Sequence, residues 1–361
     1  MARKRTRDQF AWKCPTALLP TQTTHGRFRK IADELEKQLD PDVVKPPGDV
    51  SLVLHDDAGQ KDNPSAIISA VYRGDFAEVQ RLVRNGHVND TDTLGLTALI
   101  AASATGRSKT IKFLISNKAA VNARDNLGRT ALMHATLSSH MGAMTLLIKH
   151  GANVNTPGDD TVSPLHIAAR LGSSRGVAKL LSAGARPNIA SATGLTPLHE
   201  SCKHGMAHAT MQLLRNGAFP DPINDLGYTP LHLATTTGNI DIIAMLIVSG
   251  ADVFAQASNG DTPIKLAVQS STLKFNTFFE LTNLDLDMVD ADGNSLLHLA
   301  SQKDNPNFYF LVRHGADVNA TNYTGESVLQ TVALFGEETE FLLSMGADHL
   351  HKTTSLRLSV D

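Results

Sequence analysis

Apolar residues recur in two alternating registers along most of the chain. A compact run such as Leu231, Leu233 and Ala234 in "TPLHLATT" is followed, after a polar break, by a second run at helical spacing, as in Ile242, Met245 and Leu246. Val177, Leu180 and Leu181 repeat the second pattern. Such spacing puts the apolar side chains on one face of a helix. Gly106, Gly172, Gly205, Gly238 and Gly336 close the first run, and another Gly closes the second, as in "HGANVN", "AGARPN" and "HGADVN". The pattern predicts pairs of short helices separated by tight turns.

The pairs are periodic. Hydroxyl residues open the first helix at Thr97, Thr130, Ser163, Thr196, Thr229, Thr262 and Ser295, each 33 residues after the last, and Ser327 follows after 32. Ser65 precedes Thr97 by 32, which makes nine units over about residues 65–348. The residue types fit their places. Thr or Ser accepts a hydrogen bond from the free N–H groups that open a helix. Pro164, Pro197, Pro230 and Pro263 stand at the first helical position, where a missing donor is harmless. A His three residues after the cap is placed to bond back to it, as Glu or Gln does in a capping box. Small residues (Ala168, Ala169, Ala234, Ala267, Ala300) let neighbouring helices approach closely.

The pattern G-x-T-P-L-H-x-A-x3-G…L-L-x-x-G-A-D-V-N resembles the ankyrin repeat and covers about four-fifths of the chain. The resemblance implies an all-α solenoid of stacked helix–turn–helix units joined by β-turn or hairpin loops. On that basis residues 62–348 are expected to form a repeat domain of about nine units. Residues 1–61 are expected to be a mostly disordered basic region with one short amphipathic helix (Phe28, Ile31, Leu35, Leu39), and 349–361 a flexible tail. Some units depart from the pattern. The first lacks the T-P-L-H tetrad, as a capping repeat does. Lys118 replaces a late Gly, Ser139 an inter-helix Gly, and Thr161 a turn Gly. The seventh unit, Thr262 to about Asp290, lacks both the inter-helix Gly and the Gly-Ala ending, and its second helix is aromatic. The eighth and ninth read as having shortened second helices, so the C-terminal third is expected to be the less regular part.

Composition narrows the function. A formal net charge of −3 over 361 residues argues against nucleic acid as a direct partner. No run of 18 apolar residues is present, so no spanning helix is expected. Two cysteines, Cys14 and Cys202, are too few for a disulfide framework, and the expected compartment is the cytoplasm or the nucleus. "RKRTR" at Arg3–Arg7 reads as a nuclear import signal, a solvated basic tail or part of an organelle transit peptide.

The stretch "TGLTPLHESCKHG", residues 193–205, carries the residue types of an active site: His199, Glu200, Ser201, Cys202 and His204. Register argues otherwise. His166, His199, His232 and His298 share one repeat position, with Lys265 in the seventh unit. Units stacked about 10 Å apart hold such nitrogens too far apart to share a zinc at about 2.1 Å. A neutral His bonding its own cap and the adjacent turn is the structural reading. Cys202, His204 and His208 should point in different directions, and no fourth ligand is evident. No phosphate loop, dinucleotide fingerprint or His-Glu-x-x-His sequence occurs. No catalytic, cofactor or metal site is therefore expected. Asn122, Asn155, Asn188 and Asn319 read as turn formers bonding nearby backbone.

The positions the repeat does not dictate are where a partner can be recognised. The resemblance implies that partners lie along a concave face made by the turn tips and first helices. There the third to sixth units combine Arg129, Arg170, Lys203 and His204 with Leu137, Val162, Leu171, Leu195, Leu226 and Tyr228. Apolar anchors among cations suit an extended protein segment with apolar and acidic residues; equally, each Leu packs on its neighbour and each cation is a solvated face. The expected function is that of a non-enzymatic scaffold or adaptor, monomeric and without cofactor. A nuclear regulator of transcription similar to inhibitory ankyrin proteins, and a substrate-recognition subunit of a ubiquitin ligase, are the alternatives.

Overall fold

The computed structural model describes residues 66–270, 275–282, 284–302, 304–333 and 335–348. Ser65, the basic cluster, the expected N-terminal helix and the C-terminal tail lie outside them. The chain divides into two compact units, one running to Asp225 and the other starting at Leu226.

In the first unit five helix pairs follow one another: α1 (Ala66–Arg73) with α2 (Phe76–Arg84), α3 (Ala98–Ala104) with α4 (Ser108–Ser116), α5 (Ala131–Leu137) with α6 (Met141–Lys149), α7 (Pro164–Arg170) with α8 (Ser174–Ser182), and α9 (Pro197–Lys203) with α10 (Ala207–Arg215). First helices pack on first helices in sequence order, and second on second. The first helices are short and almost wholly buried because alanines let them approach: Ala101, Ala102, Ala135, Ala168 and Ala169 are all sealed from solvent. The second helices bury only one stripe, as Ile111 and Leu114, or Val177 and Leu180. From the second repeat on, each first helix of this unit begins where the sequence places its cap. Thr97, Thr130, Ser163 and Thr196 accept from the N–H groups of Ile100, Met133, His166 and His199.

The turn tips are narrow hairpins. Asp92 N–H donates to Leu96 O, Asp125 to Arg129 O, and Ser191 to Leu195 O, at 2.8–3.1 Å. Tips are also linked along the stack, with Asn126 N–H donating to Leu94 O and Asp159 N–H to Leu127 O. A second link was misread from sequence. The asparagines do not chiefly bond their own turn but bridge to the next repeat. Asn122 Nδ2 donates to Gly151 O and its Oδ1 accepts from Asn153 N–H; Asn155 does the same with Gly184 and Arg186, and Asn188 with Gly217 and Phe219, all within 2.8–3.1 Å. The amide is long enough to reach the backbone of the neighbouring repeat, where it satisfies one carbonyl and one N–H.

The three non-glycine departures adopt the backbone of the glycines they replace. Lys118, Ser139 and Thr161 have φ of 66°, 54° and 59°, a region in which a Cβ crowds the carbonyl. Thr161 is the most costly, being β-branched, and its Oγ1 is buried without a hydrogen-bond partner.

The second unit holds α11 (Pro230–Thr237), α12 (Ile240–Val248), α13 (Pro263–Gln269), α14 (Asn276–Thr282), α15 (Leu296–Leu299), α16 (Pro306–Arg313), α17 (Val328–Thr331) and α18 (Gly336–Ser344). Irregularity in the last two repeats falls on the other helix from the one expected. The second helices α16 and α18 keep 8 and 9 residues, whereas the first helices α15 and α17 have only 4 each. There, as in the longer first helices, hydroxyls take helical carbonyls: Ser301 that of Leu297 and Thr331 that of Val328, like Ser103 that of Leu99 and Thr136 that of Leu132.

The seventh repeat, which lacks the glycine that would end α13, is closed by its neighbour instead. Asn305 Nδ2 donates to Val268 O at 2.9 Å. Asn307 Nδ2 reaches the carbonyls of Ala267, Val268 and Ser270, and its Oδ1 accepts from Phe275 N–H. Both asparagines are buried. The aromatic residues expected there form a cluster, with Phe275 and Phe279 edge-on to Phe310 and His314 stacked on Phe310 at 3.9 Å.

Replacing Thr161→Gly should raise the stability of the chain by up to about 1 kcal/mol, since the left-handed strain removed exceeds the added freedom of the unfolded chain; a urea titration followed by circular dichroism measures it. Asn307→Ala should lower stability by about 2 kcal/mol by stranding buried carbonyls at the end of α13, visible as a lower urea midpoint.

Candidate functional site

The residues expected to meet a partner fall into two groups. Arg129, Leu137, Val162, Arg170, Leu171, Leu195, Lys203 and His204 belong to the first unit. They lie at the tips before, and the ends of, the successive helices α5, α7 and α9, which pack in that order. Leu226 and Tyr228 belong to the second unit, where Leu226 is exposed and Tyr228 half-buried. Tyr228 Oη accepts from Asn259 Nδ2 at 2.9 Å, and its ring meets His232 edge-on.

Within the first unit the apolar members Leu137, Val162, Leu171 and Leu195 are all half-buried, so each packs on neighbours and still shows a face. The cations differ from one another. Arg129 Nε is 3.0 Å from Asp125 Oδ2, which fixes its guanidinium over the tip. Arg170 is half-buried and Lys203 exposed, and neither makes a hydrogen bond or ion pair with the described residues. His204 turns back on its own helix, its Nδ1 donating to Glu200 O at 2.9 Å. Glu200 itself is buried beside them on α9.

Some participants were not recognised from the sequence. Asp125 organises the third tip. Its Oδ1 accepts from Leu127 and Arg129 N–H, and its Oδ2 accepts from His134 Nε2 at 2.8 Å. Burial pushes the Asp125 carboxyl up, but the bonds from His134 and Arg129 more than offset it and hold it below its ordinary value. Burial, against the Asp125 bond, holds His134 low, so the pair is a neutral imidazole on a carboxylate. Leu94, Leu127, Phe219 and Ile223 are the large apolar residues most exposed in this unit. Phe219 had a signal: it replaces a residue that is polar in most other repeats, as in "NGAFPD" against "HGANVN".

The imidazole column is a scaffold. Ser163 N–H donates to His166 Nδ1 at 3.1 Å, so the proton sits on Nε2, which donates to Leu195 O in the next repeat at 2.9 Å. His232 links Thr229 N–H to Asp261 O, and His298 links Ser295 N–H to Glu326 O, in the same way. His199 accepts from Thr196 N–H at 3.1 Å. In the last repeat Gln330 Oε1 takes this place, accepting from Ser327 N–H at 2.8 Å. Cys202 is fully buried, and burial pushes its thiol up to about 12, against the hydrogen bonds of Thr210 and Ser201. That is the opposite of what a nucleophile needs. Among the described residues no group of three His, Cys, Asp or Glu is placed to hold a metal ion.

The capped first helix, the imidazole latch to the next repeat and the Asn bridge recur with the 33-residue period, and comparison with known families agrees. A family profile for ankyrin repeats in three copies matches residues 48–125, 66–158, 118–191 and 165–257, and a single ankyrin repeat profile matches 292–323. The chain belongs to the ankyrin repeat family. No curated protein matches it. The seventh ankyrin repeat, closed by Asn305 and Asn307, falls in the gap between the matches. Ankyrin repeats generally act as protein–protein interaction modules, and the family is typically non-enzymatic. No helix among the described residues is long and apolar enough to cross a membrane.

Burial holds His166, His232 and His298 below the ordinary imidazole value, their bonds to carbonyls working the other way. In the unfolded chain these rings titrate near about 6.5. The unfolded state therefore binds more protons as pH falls through that value, so stability is full above it and declines below it. The urea midpoint should be lower at about pH 5.5 than at pH 7.5, and His166→Gln should flatten the decline by keeping a cap acceptor that does not titrate.

Proposed function

We propose that the chain is a non-enzymatic adaptor that holds an extended segment of another protein along the first-helix and tip face of its ankyrin repeats. The observation that carries this reading is the run from Arg129 to His204. Half-buried Leu137, Val162, Leu171 and Leu195 alternate there with Arg170 and Lys203, on helices that pack in succession. None of these side chains is required by the repeat. Half-buried apolar groups lose little side-chain freedom on binding, and unpaired cations beside them supply direction and register. The partner suited to such a face brings apolar residues for the leucines and carboxylates for Arg170 and Lys203. Leu226 and Tyr228 are proposed as partner contacts of the second unit on the same grounds: an exposed apolar tip and a half-buried ring.

The test compares tagged wild type with a variant carrying Arg170→Glu and Leu195→Ala, by crosslinking and quantitative mass spectrometry. Partners held by this face should fall at least about tenfold, a loss of roughly 1.4 kcal/mol or more, while the circular dichroism spectrum is unchanged. An undiminished partner set on a folded variant refutes the assignment of this face.

A further inference from the structure

One ionisable side chain in the first unit is not needed by the repeat. Glu200 stands four residues after its cap; the same register in the preceding repeats holds Ala101, His134 and Ile167. Ala101 and Ile167 are buried apolar residues, and His134 is satisfied by Asp125. Glu200 has no such arrangement. Its side chain is only 9% exposed, and its Oε2 is sealed from solvent without a hydrogen-bond partner. His204 Nδ1 lies 3.6 Å from that oxygen, but it already donates to the Glu200 carbonyl.

The direction of this side chain follows from the helix. One face of α9 packs on α10, where Thr210 Oγ1 donates to Ser201 Oγ at 2.9 Å. Glu200 and His204, four residues apart, share another face, the one that ends in half-exposed His204 and exposed Lys203. A carboxylate oxygen withdrawn from water, with no hydrogen bond and an imidazole only at 3.6 Å, destabilises a fold. A cation brought by a ligand would remove that penalty, and the penalty is felt only while the site is empty.

We propose that Glu200 anchors an arginine of the bound segment, its carboxylate turning from its sealed seat toward the groove to accept two guanidinium N–H bonds. Arg170 and Lys203, which end the two successive helices α7 and α9 beyond Glu200, then select acidic residues next to that arginine. The occupant is thus an extended peptide with one basic residue beside acidic ones, which adds a cation to the apolar and acidic segment expected from sequence. The inference rests on the groove reading above.

Two measurements on the full chain test it. Without any ligand, Glu200→Leu should raise the thermal midpoint by about 2–4 °C, since Ile167 shows that this register accepts a branched aliphatic side chain. A lower midpoint would mean that Glu200 supports the fold, and would overturn the proposal. Displayed linear peptides of roughly twelve residues, long enough to span several repeats, are then selected on wild type and on the isosteric Glu200→Gln. Wild type should enrich a fixed arginine with acidic neighbours. Those peptides should bind Glu200→Gln about tenfold more weakly, and selection on that variant should lose the arginine. Arginine-free peptides held equally by both proteins overturn the anchor but leave the groove. Enrichment of no peptide by wild type counts against the groove itself.

Discussion

Two short helices cannot bury both of their faces alone, so each repeat must be fastened to the next. The fastening here is a side-chain hydrogen bond to a neighbour's backbone. His166 donates its Nε2–H to Leu195 O, and Asn155 holds Gly184 O and Arg186 N–H. These bonds fix the register of one repeat against the next, and the alanines between helices then allow close packing. The buried polar groups that result are satisfied in turn by cap, latch and bridge. The column of imidazoles, which suggests chemistry when read as a list of residue types, is occupied by this task.

Much of this was legible because it is local or periodic. The caps, the prolines after them and the return bond from His lie within four residues of one another, and the 33-residue recurrence confirmed each from the others. Lys118, Ser139 and Thr161 stood out as departures for the same reason, and all three carry the backbone of the glycine they replace. What the sequence concealed depends on contacts some 30 to 40 residues away. Asn305 and Asn307 look like ordinary loop residues until α13 is seen to end against them. Asn122 and its equivalents bond a turn, as their type suggests, but the turn belongs to the next repeat. The last repeats shorten their first helices rather than their second, which no residue type in those helices announced.

The candidate site was legible only as a set of positions. Register picked out the residues free to vary, but not which of them were already engaged. Arg129 is fastened to Asp125 and His204 to its own helix, whereas Arg170 and Lys203 are not. Glu200 stood in the stretch 193–205 but was not set apart there, because a register that is apolar in most repeats and polar at His134 carries no steady periodic signal. Its importance lies in an unfilled hydrogen-bonding capacity, which only atomic positions reveal. Phe219, by contrast, broke a polar pattern in plain view.

The asparagine bridges of the first unit all run one way, each amide reaching forward from Asn122, Asn155 or Asn188 to the following turn. The stack is therefore not equivalent when shortened from its two ends. Cutting repeats away from the back leaves an exposed amide side chain that water satisfies at little cost. Cutting them from the front removes the amide that was holding the next turn in place, and the repeat left at that edge loses a fastening. Fraying is thus built to differ between the two ends, and a shortened version of this array keeps its order better when repeats are removed from the back.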